Sequence, residues 1–274
     1  MPLALESSEI FKSILSITGD DKFPTWHAPS IPWYFRKTAS CIYRNAEKQP
    51  KRTLLIGVTG LAGTGKDTAT VMLTCMHQLL KNFDETGVNN NPSPYTSIDE
   101  TLTIIRNTHV VPMSFADPLK EIACVVGFTR EQVHNQSLKN KVDDFWGITP
   151  RQFLQMCGTE MFRKVWRDDV WVELMRKRIH KYSNEFYKDG TKVGAVIIPD
   201  VRFPNEVAMI QEEGGTVVRI TREGIPQMNH DSENQISSLP VDFEIKNDCQ
   251  SREEWTVKFT TKLCQYLTPS TYYE

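Results

Sequence analysis

The chain has 274 residues, 39% of them hydrophobic and 24% charged, which suits a globular fold with apolar side chains enough for one large domain or two small ones. Its 32 basic and 34 acidic residues leave a formal net charge of −2, so no overall positive field argues for wrapping nucleic acid or lying on an anionic membrane. The six cysteines are scattered without CxxC pairs or close histidine partners, which speaks against a zinc site or a disulfide framework. No apolar run approaches the roughly 20 residues of a membrane helix, and "MPLALESSEIFKSIL" carries acids where a secretory leader has a basic region. The expectation is a cytoplasmic protein acting on small polar ligands, with neither nucleic acid nor membrane as partner.

Residues 1–50 read as an N-terminal extension. "FPTWHAPSIPWYF" sets prolines among aromatics, which resists regular structure, and predicts an arm that either lays its aromatics on the main domain or contacts another subunit in a homodimer. The main domain is expected over 51–274. "TLLIGVTG" from Thr53 is a short apolar run ending in glycine, as in a strand buried on both faces of a parallel sheet. Lys66 to Lys81 carries Ala69, Met72, Leu73 and Met76 at helical spacing. A turn-rich insert at about 84–108, containing "NNNPSP", precedes a second strand, "HVVPMSF" (His109 to Phe115). Asp117-Pro118 then opens a helix.

Thr149 to Tyr182 begins with a threonine cap and a proline at the first helical position, and continues largely at helical spacing. A third strand, Ala195 to Ile198, ends at Asp200 and Arg202 before a helix from about Pro204. "TVVRITR" and "DFEIKND" predict a fourth and fifth strand, and "SREEWTVKFTTKLCQYL" a closing helix. Alternating strands and helices imply an α/β layer fold with a mostly parallel sheet and ligand chemistry at the C-terminal edge of the strands. "MNHDSEN", with His230, reads as a loop, either a lid over a ligand or a plain linker.

The stretch from Gly57 to Thr70, "GVTGLAGTGKDTAT", has the spacing of a phosphate-binding loop between a strand and a helix. Glycines at 60, 63 and 65, with Ala62 and Thr64 between them, allow backbone N–H groups to converge on phosphate oxygens. Lys66 adds a point charge at the positive end of the helix. Where Ser or Thr usually follows the lysine, this chain has Asp67. Its carboxylate can hold Mg²⁺ directly or through water, or it can simply favour the helix N-terminus and leave Thr68 as the metal contact.

Phosphoryl transfer concentrates negative charge and needs cations more than it needs a protein nucleophile. Arg151, Arg163, Lys164 and Arg167 supply them on or near one helical region, and Lys120 on another; solvated surface is the competing role for each. Arg151, in the first turn of its helix, is the strongest candidate, and Gln155 shares its face four residues on. Trp146 and Trp171 either stack on a base or pack in a core. Asp200 and Asp117 end strands at the ligand edge, where turn formation and helix capping compete with catalysis. Asp168-Asp169 is a poor catalytic pair, because adjacent helical residues point in different directions.

Together the segments "GTGKDT", "FADPLK", "PRQFLQMCGTE", "DDVWV", "IPDVRFPNE", "NHDSE" and "EIKND" resemble the bacteriophage deoxynucleoside monophosphate kinases, in both spelling and order, from about Leu54 to the closing helix. The resemblance implies a P-loop kinase of three layers (αβα) with a helical acceptor-binding or lid region. It also implies ATP as donor with Mg²⁺ and a deoxynucleoside 5′-monophosphate as acceptor. By the same resemblance Gly60 to Thr68 hold the ATP phosphates. Arg151, Gln155, Gly158, Thr159, Trp171, Asp200, Val201, Arg202 and Glu206 surround the acceptor, while Lys66, Arg151, Arg163 and Arg167 neutralise the transferring group. Phosphomevalonate kinases share Gly-Lys-Asp, so a kinase of another phosphorylated metabolite, of that or the dephospho-coenzyme A type, is the enzymatic alternative. A non-catalytic nucleotide-binding protein is the other.

Overall fold

A computed structural model describes residues 33–49, 53–74, 108–187, 193–225 and 236–268. They fall into two compact units, one covering 116–171 and the other the remaining described residues.

The larger unit is organised by five parallel strands, β1 (Thr53–Thr59), β2 (Thr108–Pro112), β3 (Val193–Ile198), β4 (Thr216–Thr221) and β5 (Phe243–Lys246), in the order β2-β3-β1-β4-β5. The apolar runs explain the arrangement. Every residue of β1 is buried, as a strand flanked by two neighbours and covered on both faces must be. Leu55 lies opposite Val196 of β3, and Val58 opposite Val218 of β4. Beyond them Val111 pairs with Val196 and Ile220 with Ile245.

Side chains alternate across the sheet, so each face has its own helices. Leu54, Ile56 and Val58 of β1 join Ala195, Ile197, Val218 and Ile220 in a core filled by Ile42, Leu73, Trp255, Phe259 and Leu263. These last five come from α1 (Trp33–Lys48), α2 (helical over 66–74 of the described residues) and the closing helix, here α8 (Arg252–Leu267). Full burial of a side chain such as Phe259 or Ile42 contributes about 1.5–3 kcal/mol each. On the opposite face, a Cβ at Gly57 would lie 2.8 Å from Ile210 of α7 (Pro204–Glu212), and one at Gly194 would lie 2.9 Å from the Tyr182 ring of α6 (Val170–Tyr187). Helices above and below a parallel sheet make three layers.

The unit over 116–171 is helical. It holds α3 (Asp117–Val125), α4 (Arg130–His134), a 3₁₀ turn (Leu138–Asn140) and α5 (Pro150–Gln155). A small core of Ala123, Phe128 and Val133, with Phe153 and Leu154 against it, holds these pieces together. Thr129 and Thr149 each form a reciprocal capping box with the glutamine three residues on, Gln132 and Gln152.

Three sequence expectations need correction. Within the extension expected over 1–50, where regular structure was not foreseen, Trp33–Lys48 is a helix whose Ala39, Ile42 and Ala46 lie in the main core. The second strand stops at Pro112 rather than Phe115, because beyond Met113 the backbone turns to Asp200, whose carboxylate accepts from Phe115 N. Thr149 to Tyr182 is not one continuous α-helix. The α-turns end at Gln155, nine residues of π-helix follow (Met156–Lys164), and α6 starts anew at Val170. Gly158 within that wider coil lies against Leu119, where a Cβ would come within 2.8 Å of Leu119 Cδ2. The arm before residue 33, the insert at about 84–107 and "MNHDSEN" lie outside the described residues.

Candidate active site

β1 delivers the chain to the C-terminal edge of the sheet at Thr59, between β3 and β4, and the glycine loop begins there. Gly60 has φ 151° and Gly65 φ 99°, backbone conformations open to glycine and strained for other residues. Space is also lacking: a Cβ on Gly60 would lie 2.5 Å from the Ile220 carbonyl oxygen, and one on Gly65 would lie 2.6 Å from Asn247 Nδ2. The turn is tightened by the Thr64 hydroxyl, which donates to the Leu61 carbonyl at 2.9 Å. α2 then starts with Ala69 N donating to Gly65 O at 3.0 Å. The amides heading this helix are the orphan donors of any helix start, and they favour an anion.

Lys66 stands in the first turn with its side chain 15% exposed, and its Nζ lies 3.2 Å from Oδ1 of Asp67, which is 63% exposed. Among the described residues no group of three or more His, Cys, Asp or Glu side chains could cage a metal ion. Magnesium in nucleotide sites is held by one or two protein groups together with phosphate oxygens and water. Asp67, exposed beside the lysine, and half-buried Thr68 fit that partial coordination.

Asp200 follows β3, the strand beside β1, and both its carboxylate oxygens are engaged with the end of β2: Oδ2 accepts from Ser114 Oγ at 2.5 Å and Oδ1 from Phe115 N at 3.0 Å. Arg178 Nη1 donates to Ser114 O at 3.1 Å. The Val201 side chain is buried and its carbonyl accepts from Thr59 Oγ1 at 2.6 Å, fastening the turn after β3 to the end of β1. Glu206, 2% exposed, receives the amides of Arg202 and Phe203 on Oε2 at 2.7 and 3.2 Å. Its position shapes the Asp200–Arg202 turn as a helix cap does.

In the helical unit Arg151 sits in the first turn of α5, half-buried. Its Nε donates to Asn140 Oδ1 at 2.8 Å and Nη2 to Gln136 Oε1 at 3.0 Å, so the guanidinium is aimed by neutral amides rather than cancelled by a carboxylate. Gln155 closes α5, and Gly158 and Thr159 follow in the π-helix. π-turns occur disproportionately at functional sites. Asp117 and Lys120, in the first turn of α3, lie 3.6 Å apart.

The remaining candidates are placed less suggestively. Arg163 is 7% exposed and donates to the Asp168 carbonyl at 2.9 Å. Arg167 grips Asp169 through two bonds of 2.8 and 2.7 Å, which hold that carboxyl below its ordinary pKa. Of the roles weighed for Trp171, packing describes its surroundings. It is 5% exposed, its indole N–H is taken by Gly158 O at 2.9 Å, and its ring lies 5.0 Å from Phe162. Trp146 is 46% exposed, set edge-on to Phe145.

Sequence reasoning passed over Ser114, Arg178, Asn140 and Gln136, which orient the candidates, and Asn247 and Trp255, which touch the loop. Asn247 had a signal, its position just beyond β5 at the ligand edge of the sheet. Trp255 had none, since an indole on an amphipathic helix reads as core.

A glycine loop and lysine between the central strand of a parallel sheet and its following helix define a three-layer α/β protein of the P-loop kinase type. The sequence model of the deoxynucleotide monophosphate kinase family matches residues 90–256, and the chain belongs to that family, whose members are phosphotransferases. Over 137 residues, 47% of this chain and 70% of the relative, it is 36% identical to a protein of Acanthamoeba polyphaga mimivirus assigned by name to the deoxynucleotide monophosphate kinases. Over 132 residues it is 26% identical to the deoxynucleoside-5′-monophosphate kinase of Escherichia phage T5, covering 44% of this chain and 49% of the phage protein, so it spans about half the length of that relative. The family match takes in Asp117 to Glu206 and begins beyond the glycine loop, whose reading therefore rests on its own geometry.

Proposed function

We propose that the protein transfers the γ-phosphoryl group of ATP to a deoxynucleoside 5′-monophosphate, yielding ADP and the deoxynucleoside diphosphate, a precursor for DNA synthesis in a phage. The observation that carries the reading is the loop from Gly60 to Lys66, built at the C-terminal end of the central strand in a chain of this kinase family. In the transfer the monophosphate oxygen attacks phosphorus and the bond to the β-phosphate oxygen breaks.

The loose transition state is stabilised by fixed positive groups around it. The amides of Gly63 to Lys66 bind the donor's phosphate oxygens, and Lys66 Nζ swings from Asp67 to the transferring group. Asp67 or Thr68 would hold Mg²⁺, which would offset phosphate charge. Arg151 provides a two-point grip for the acceptor phosphate, with Gln155, Gly158, Thr159 and Arg202 as further acceptor contacts, while Asp200 orients the acceptor or would help to hold the metal. Arg167 adds positive potential when it exchanges Asp169 for a phosphate oxygen, and Arg163 when it does the same with Asp168.

The test is a panel of natural and modified deoxynucleoside monophosphates incubated with ATP and Mg²⁺ and scored for new diphosphate. Diphosphate from at least one deoxynucleotide is the expected result. ATP consumption with dephospho-coenzyme A or a phosphorylated mevalonate and none with deoxynucleotides would overturn it.

A further inference from the structure

Two buried side-chain donors close the back of the glycine loop. Asn247 Nδ2 donates to Thr64 O at 2.8 Å, and Trp255 Nε1 donates to Gly65 O at 3.1 Å. They come from different elements, Asn247 from the residue after β5 and Trp255 from the start of α8, yet they meet consecutive carbonyls. Both are rigidly held, at 4% and 3% exposure. Asn247 N is bound to Thr221 O at 2.7 Å, and its Oδ1 accepts from Cys249 N at 3.3 Å, which decides which end of the amide faces the loop. Trp255 packs against Phe259 with ring centroids 5.6 Å apart.

In a trans peptide the carbonyl and the N–H of the next residue point in opposite directions. A donor holding Thr64 O toward the core therefore turns Gly65 N–H away from it, and one holding Gly65 O does the same for Lys66 N–H. Those two amides open α2. Glycine allows its flanking peptide planes to rotate with little steric resistance. The helix holds the second plane through Ala69 N on Gly65 O at 3.0 Å, where Trp255 adds a second donor, and Asn247 holds the first.

We infer that Asn247 and Trp255 are positioning residues for the phosphoryl donor, locking two adjacent peptide planes so that the Gly65 and Lys66 amides are aimed at phosphate before it binds. The inference rests on the proposed donor site and adds to it the groups that preorganise the site. Fixed dipoles need no reorganisation on binding or in the transition state, which makes such locking worth more than the stability it adds.

The experiment compares wild type with Asn247→Leu, close in volume but without a donor, and Trp255→Phe, which keeps an aromatic ring and loses the N–H. Affinity for Mg·ATP is measured by isothermal titration well below the melting temperature, alongside the KM values of donor and acceptor. Each variant is expected to bind Mg·ATP about tenfold more weakly or worse, with donor KM rising in step and acceptor KM at saturating donor within about twofold of wild type. Variants that melt earlier yet bind Mg·ATP within about twofold of wild type would reduce both contacts to structural ones and overturn the inference. If one substitution prevents folding, the other gives the same reading. Lys66→Ala separates the two levels. Turnover that survives it removes the donor site itself; turnover lost there but donor affinity intact in the Asn247 and Trp255 variants removes the positioning role alone.

Discussion

Asp200, at the end of β3, and Ser114, beyond the end of β2, are joined by a hydrogen bond of 2.5 Å from the serine hydroxyl to the carboxylate. The amide of Phe115 takes the other carboxylate oxygen. The acid at the ligand edge is thus aimed by the chain that leaves the neighbouring strand. Asp200→Ala leaves Ser114 and Phe115 without this acceptor and is expected to cost about 1–3 kcal/mol in urea unfolding, together with most of the phosphoryl transfer. Asp200→Asn retains a carbonyl oxygen and should lose less stability; if the negative charge itself acts on substrate or metal, turnover falls as far as in the alanine variant.

Lys66→Ala should lower kcat/KM by about two to three orders of magnitude, the scale of removing one preorganised stabilising group from a transition state. The ammonium pairs with exposed Asp67, so the melting temperature should move little. Steady-state kinetics and a thermal melt check both. Near-normal turnover contradicts the loop assignment.

Gly60→Ala places a methyl 2.5 Å from the backbone oxygen of Ile220 at φ 151°, and neither atom belongs to a flexible side chain. A loss of about 1–3 kcal/mol is expected, with donor binding weakened as the loop shifts. Unchanged stability and donor affinity would mean that the turn tolerates another path.

Arg151→Ala should raise the acceptor KM at least about tenfold and leave donor affinity unchanged. Lysine should not rescue it, because it lacks the planar fork that Asn140 and Gln136 orient. Equal losses for both ligands would argue against an acceptor role.

Asp143 accepts from Gln132 Nε2 at 2.8 Å and from the amides of Trp146 and Phe145 at 3.1 Å each, and these bonds hold its pKa below the ordinary 3.8. A carboxyl depressed in the folded state stabilises above its unfolded value and loses that contribution as pH falls through the folded one. Protection of the helical unit in hydrogen exchange should therefore drop below about pH 4, more steeply than in Asp143→Asn, which begins weaker and changes less. Identical acid profiles would exclude Asp143 as the brace.

The apolar runs of β1 and β3, the glycine loop and the helix starts at Pro118, Pro150 and Pro204 were legible because each depends on a local pattern: burial of a continuous run, glycine spacing, or a proline at the first turn. α1 was hidden by the prolines and aromatics before it. It is helical because Ala39, Ile42 and Ala46 find the sheet, a contact that no local window contains. The α-to-π change at Met156 was equally invisible, since helical spacing in sequence does not distinguish the two coils.

By itself the sequence determined the five strands, most of the helix starts and which residue types reach the ligand edge, because periodicity and backbone preference act over a few neighbours. Tertiary structure alone decided that Ser114 aims Asp200, that Trp171 is buried, and that Asn247 and Trp255 hold the carbonyls of Thr64 and Gly65. Those partners are separated by tens to nearly two hundred residues in the chain, and only the register of the parallel strands brings them within a hydrogen bond's reach.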